Sequence, residues 1–171
     1  MLERVEDIMA RLLEAAAMLM MVTLVVAISY SVVGRQVFRL SVAWSEEVGA
    51  GLLMWMVMLG AAAAWSRRRH IAIDVLLRLS GVRVRYGLAI FIELSSVLLF
   101  GVALTGAVSM MQVSAHNSTT ALDVSYSWLY LALVIGLGAM ILFGLMHLGR
   151  LLVRGPAMVA KEGEWNTSSS S

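Results

Sequence analysis

Four long apolar stretches alternate with short polar ones along this chain, and the clearest of them is marked at both ends. Trp44 to Leu79 reads WSEEVGAGLLMWMVMLGAAAAWSRRRHIAIDVLLRL: a tryptophan and two carboxylates lead into 18 uncharged residues, Val48 to Trp65, and Arg67, Arg68 and Arg69 follow. At about 1.5 Å per helical residue, a run of about 18 crosses a hydrocarbon core about 30 Å thick. Indole rings favour the headgroup level, and arginines beside a span favour the cytoplasmic side. Trp44 and Trp65 are therefore expected at opposite interfaces, with the arginine triplet inside. After it, His70, Asp74 and Arg78 recur every four residues, with Ile71, Val75, Leu76 and Leu79 on the remaining surface. That spacing predicts a helix too short to cross, lying in the inner interface, with Asp74 ahead of Arg78 in the favourable order for a helical pair.

The same pattern places the other elements. In MLERVEDIMARLLE, Leu2, Val5, Met9, Leu12 and Leu13 share one helical face while Glu3, Arg4, Asp7, Arg11 and Glu14 take another. This predicts an amphipathic, interfacial N-terminal helix. The apolar run behind it, Ala15 to Gly34, is 20 residues long after an acidic start. It is expected to be a retained span rather than a cleaved signal. Arg35 and Arg39 sit near the end of this first span, where cations offset the helix dipole, and Ser45, Glu46 and Glu47 open the next. Capping and a favourable dipole give those three a structural reason. A contact with a partner is the other reading of the carboxylates, and a local ion pair to Arg35 or Arg39 across the short hairpin is a third, worth little at an exposed edge. With the remaining two runs, the spans are expected at about 15–34, 48–65, 86–108 and 128–149. Residues 1–155 then make a single four-helix membrane domain. Gly155-Pro156 stops the last helix ahead of a tail, residues 156–171, expected to be disordered and cytoplasmic.

Composition agrees with the pattern. The 171 residues are 60% apolar and 14% charged, with a mean hydropathy of +0.86, which is more apolar surface than one small soluble core can hide. The fold class is an all-α integral membrane protein with four transmembrane helices. The basic residues lie at span ends rather than on one continuous face, so no nucleic-acid partner is expected. Of the 13 basic residues, 11 fall in the N-terminal segment, the loop between the second and third spans, and the tail. The two outer loops keep only Arg35 and Arg39, so the positive-inside rule puts both termini in the cytoplasm. The loop from Gln112 to Tyr126 carries no basic residue and can face outward.

Candidate chemistry is sparse. Glu93 is the only charge well inside an expected crossing. An ionised group there costs on the order of 3 kcal/mol on insertion scales, which makes it a functional candidate. It lies roughly 10 Å along the axis past Tyr86, where inner arginines or polar atoms of a neighbouring helix are within reach; a structural pairing and a proton-carrying or ion-binding role are the two readings. Gly49, Gly51, the run Gly60 to Ala64, the row Gly101, Thr105, Ser109, and Gly136 with Gly144 are small enough to let helices approach closely in lipid. The absence of cysteine excludes disulfides, thiolate metal sites and thiol nucleophiles. No phosphate loop, nucleophile elbow or metal-binding helix motif is present, and His147 has no second in-membrane histidine with which to hold a haem. The one proline lies beyond the last span and no internal repeat is evident, unlike a complete secondary carrier. The expectation is a non-enzymatic membrane subunit that supports another protein. The alternative is a small self-sufficient proton-coupled exporter, working as an oligomer with Glu93 as proton carrier.

Three passages together carry a family resemblance. Gly34-Arg35-Gln36-Val37-Phe38 through WSEEVGAGLLMW, the LGAAAAWSRRRHIAIDVLL segment and TTALDVSYSWLYLALVIGLG closely resemble the small, Q-type membrane subunit of tripartite ATP-independent periplasmic (TRAP) transporters. The likeness covers nearly the whole chain outside the termini. It implies a multi-pass protein of a bacterial or archaeal inner membrane, paired with a large multispan TRAP subunit. In that family the large subunit carries the substrate and sodium sites and moves them like an elevator, so this chain is expected to hold no cofactor. A periplasmic substrate-binding protein delivers an organic acid of the C4-dicarboxylate, keto-acid or sialic-acid class. By position, Arg35, Trp44, Glu46 and Glu47 match the family's outer-hairpin motif, and with Arg39 they are the candidate contacts to the large subunit or the binding protein. His70, Ile71 and Asp74 match its inner-loop motif. The sequence departs from the family in having Ser80-Gly81 and Val134 where prolines are frequent.

Overall fold

The computed structural model describes residues 2–38, 44–67 and 82–154. Four helices make up most of these: α1 (Leu2–Phe38), α2 (Trp44–Ser66), α3 (Val82–Val113) and α4 (Ser127–Arg154), with a short 3-10 turn at Ser114–His116. Each holds a segment long and apolar enough to cross a membrane, namely Glu6–Val37, Trp44–Ser66, Tyr86–His116 and Ser127–Val153. These enclose the four spans expected from the sequence. Arg39, the expected interfacial helix with His70, Ile71, Asp74 and Arg78, and the tail at 156–171 lie outside the described residues.

The N-terminal amphipathic segment is the beginning of α1 rather than a separate helix. No glycine or proline interrupts the chain before Gly34, so one helix of 37 residues forms. It is about 55 Å long, nearly twice the thickness of a hydrocarbon core. Its protein-facing stripe is also not the leucine stripe. Glu6, Ala10 and Ala17 are buried, while Leu12 is 65% exposed and Ile8 is exposed with it. Small side chains let a neighbour come close, whereas leucine is equally well solvated by lipid and gains little from being buried.

The helices pack as a row in which α1 lies on α2, α2 on α4, and α4 on α3. The last helix therefore inserts between the second and the third. Glycine explains why. A Cβ on Gly136 would stand 2.9 Å from Met58 Cβ and 3.1 Å from the Met58 carbonyl oxygen, so α4 meets α2 almost backbone to backbone. One and a half turns or more toward the start of each helix, Gly51 faces the Trp128 indole, and Trp128 packs on Trp55 with ring centroids 4.7 Å apart. On its other side α4 presents Gly144, where a Cβ would lie 2.8 Å from Val97 of α3. The row Gly101, Thr105, Ser109 contributes no such contact among the described residues. Gly101 has open space beside it, and the Thr105 and Ser109 hydroxyls donate back to carbonyls of their own helix, at Val102 and Thr105.

Candidate interface at the hairpin end

At the end where α1 turns into α2, polar contacts tie three segments together. Ser31 Oγ of α1 donates to Ser45 Oγ of α2 at 2.8 Å, and both serines are buried. One turn further along α1, Arg35 Nη2 donates to Glu46 Oε1 at 3.3 Å, an exposed pair of the kind that contributes little. Tyr30 and Trp44 pack nearby with ring centroids 6.3 Å apart. Arg35, Trp44 and Glu46 of the expected outer motif are thus gathered on this hairpin.

Glu47 points elsewhere, into the loop between α3 and α4. Its Oε1 accepts from the Ala121 amide at 2.9 Å and the Thr120 hydroxyl at 3.2 Å, and its Oε2 from the Leu122 amide at 3.0 Å. Those donors sit at the tip of a narrow turn. Ser118 and Ser125 form an isolated antiparallel bridge, Thr119 N donates to Val124 O and Tyr126 N to Asn117 O, and Asp123 takes the left-handed φ of 52° that closes the tip. A turn leaves amide N–H groups pointing outward without backbone partners, and a carboxylate accepts several at once. Ser127 Oγ anchors the loop's other end by donating to Met111 O at 2.6 Å. Among the readings left open for Glu47, the structure therefore adds one the sequence reading had not weighed: it fastens α2 to a loop more than 70 residues downstream.

In the core, Glu93 is 3% exposed. Its Oε1 lies 3.2 Å from where a Gly144 Cβ would be, and Trp65 Nε1 lies 4.0 Å from the same point. Glycine at 144 is what leaves room for the carboxylate between α3 and α4. The Trp65 ring, expected at an interface, also turns inward, edge-on to Phe100 at 4.9 Å and 85°. His147 follows Gly144 by three residues, on the same face of α4.

The opposite end is held by two ion pairs. Glu14 of α1 meets Arg67 just past α2, and Glu6 meets Arg150 of α4 at 2.5 Å, with side chains only 9% and 17% exposed. The second is a contact of charge more than of aligned hydrogen bonds, since Glu6 Oε2 and Arg150 Nε have no hydrogen-bond partner among the described residues. Tyr86 of α3 donates its hydroxyl to Leu151 O of α4 at 3.3 Å. Polar pairs thus fasten the helices near both ends of the row.

The family profile described as Tripartite ATP-independent periplasmic transporters, DctQ component, matches residues 24–154. The chain belongs to the DctQ family. Curated proteins, searched by sequence, give no match. The DctQ match and the four helices make it a multi-pass membrane protein of a transporter assembly. The matched stretch begins in the middle of α1 and includes Arg35, Trp44, Glu46, Glu47 and Glu93, whereas Glu6 and Glu14 precede it. The sequence pattern puts Glu14 on the polar face of an interfacial segment and assigns Glu6 to neither face. The sequence signal for their role is the need of Arg150 and Arg67 for acidic partners.

Proposed function

We propose that this DctQ-family chain is the small scaffold subunit of a sodium-coupled, binding-protein-dependent importer of organic acids, of the C4-dicarboxylate, keto-acid or sialic-acid class. It pairs with a large elevator-type subunit that carries the substrate and sodium sites, and a periplasmic binding protein delivers the solute. The protein lies in the inner membrane with both termini cytoplasmic and the hairpin end in the periplasm. The family match over residues 24–154 carries this reading. The row of helices supports it: both outer helices, α1 and α3, keep long apolar faces exposed, with Leu98 at 69%, which leaves broad surface for a larger membrane neighbour.

The test is uptake in cells lacking the native system. Labelled organic acid should accumulate only when this chain, the large subunit and the binding protein are expressed together, and the chain should co-purify with the large subunit. Glu93→Gln keeps the size of the side chain and removes its charge, so most uptake should survive or fall in step with assembly. Proton-driven transport by this chain alone in proteoliposomes, abolished by Glu93→Gln, would overturn the proposal in favour of an exporter.

A further inference from the structure

A groove of about 510 Å³ runs along one side of the α1–α2 seam at the hairpin end. Leu24, Ile28, Val32 and Leu53 line it above a floor at Gly49 and Ala50, the bonded serines Ser31 and Ser45 lie within it, and Arg35 and Glu46 stand at its mouth. The floor is low because Gly49 carries no side chain: a Cβ there would find only Leu24 Cδ1, at 3.8 Å. From Leu24 to Arg35 the helix rises about 16 Å, close to the depth of one leaflet of a hydrocarbon core about 30 Å thick. The volume falls within the range of about 300–1,000 Å³ typical of small-molecule sites.

We infer that this groove binds one zwitterionic phospholipid bearing a primary ammonium headgroup, with an acyl chain along Ala50 and Leu53. Two properties of the groove select that occupant. Below the mouth its only polar lining is the buried pair Ser31 and Ser45, bonded to each other, and its charges stand at the headgroup level alone, which is the profile of a lipid rather than of a transmembrane helix that continues through both leaflets. Its mouth carries both signs side by side, Arg35 Nη2 lying 3.3 Å from Glu46 Oε1. A phosphate and an ammonium on the same headgroup complement such a pair in the opposite order, with the guanidinium forking the phosphate oxygens and the carboxylate accepting from the ammonium. The exposed Arg35–Glu46 bond is weak enough to yield to these contacts.

The experiment is native mass spectrometry of the full chain purified in mild detergent from nanodiscs of mixed phosphatidylethanolamine and phosphatidylglycerol. The expected result is one retained phosphatidylethanolamine in preference to phosphatidylglycerol. Arg35→Gln should lose retention of both lipids. Glu46→Gln should lose the preference while keeping a bound phospholipid. Ala50→Leu fills the floor without touching the ion pair and should abolish retention, and circular dichroism of that variant checks that its helices are intact. A photoreactive residue at Leu53, activated in native membranes, should yield a phospholipid adduct. Retention unchanged by Ala50→Leu, or a protein adduct from Leu53 in place of a lipid, would overturn the inference, the second by assigning the groove to a partner helix. None of these readouts depends on transport, so their failure leaves the proposed subunit role standing.

Discussion

Glu47 fastens the start of α2 to main-chain amides of the loop between α3 and α4. Two acids in a first helical turn announce a helix start, and α2 does begin there, at Trp44. The partner of the second acid was hidden because it is main chain: the Ala121 and Leu122 amides that it binds have no signature in residue type. The loop offered one clue, an absence of basic residues that left an acid nothing to meet but N–H and O–H groups. Glu47→Ala removes three acceptor contacts and leaves α2 otherwise intact. Amide exchange at Ala121 and Leu122 should accelerate, and proteolysis of the loop in detergent should become faster, while the helix content stays constant. Glu47→Gln, with one carbonyl oxygen left, should fall between. Unchanged exchange at both amides in Glu47→Ala would show that the turn holds itself.

At the level of elements, the four crossings were legible because lipid forces each to be a long uncharged helix, and length alone then separates them from other helices. Their neighbours were not, since a small residue marks a close approach without naming the partner. Of the glycines read as packing positions, Gly136 and Gly144 meet another helix at distances that exclude a side chain, whereas Gly101 meets nothing. Substitutions should divide on this line. Gly136→Ala sets a methyl against the Met58 backbone, which cannot move aside as a side-chain tip can, and should destabilise the fold by about 1–3 kcal/mol. Gly144→Ala crowds Val97 and the Glu93 carboxylate and should cost a similar amount. Gly101→Ala should be neutral or slightly stabilising through helix propensity alone. Thermal unfolding of the purified chain in detergent checks all three, and equal losses at Gly101 and Gly136 would contradict the packing order α1, α2, α4, α3.

At the scale of the whole molecule, charge sets both closure and direction. The pair Glu6–Arg150 joins the first helix to the last across a row in which they are not principal neighbours. Glu6→Gln would strand a largely buried guanidinium and should cost up to about 3 kcal/mol, with Glu6→Ala/Arg150→Ala less damaging than the sum of its parts, since the two residues touch. Arg150 and Arg67, the partners of Glu6 and Glu14, also belong to the basic residues whose bias supports the proposed cytoplasmic placement of this end. Neutralising a few of them by pairing does not remove the bias, because 11 of the 13 basic residues fall, by sequence, in the N-terminal segment, the connection between the second and third spans, and the tail. The natural chain has no cysteine, so single-cysteine labelling needs no altered background. His116→Cys and Ser118→Cys place a thiol on the exposed loop between α3 and α4, clear of the donors that Glu47 uses. Both should react with a membrane-impermeant maleimide in cells whose outer membrane alone has been permeabilised. Ser171→Cys should react only after the inner membrane is opened. The reverse pattern would mean that the loop held by Glu47 faces the cytoplasm, and that the arginine-rich end had been translocated against its charge.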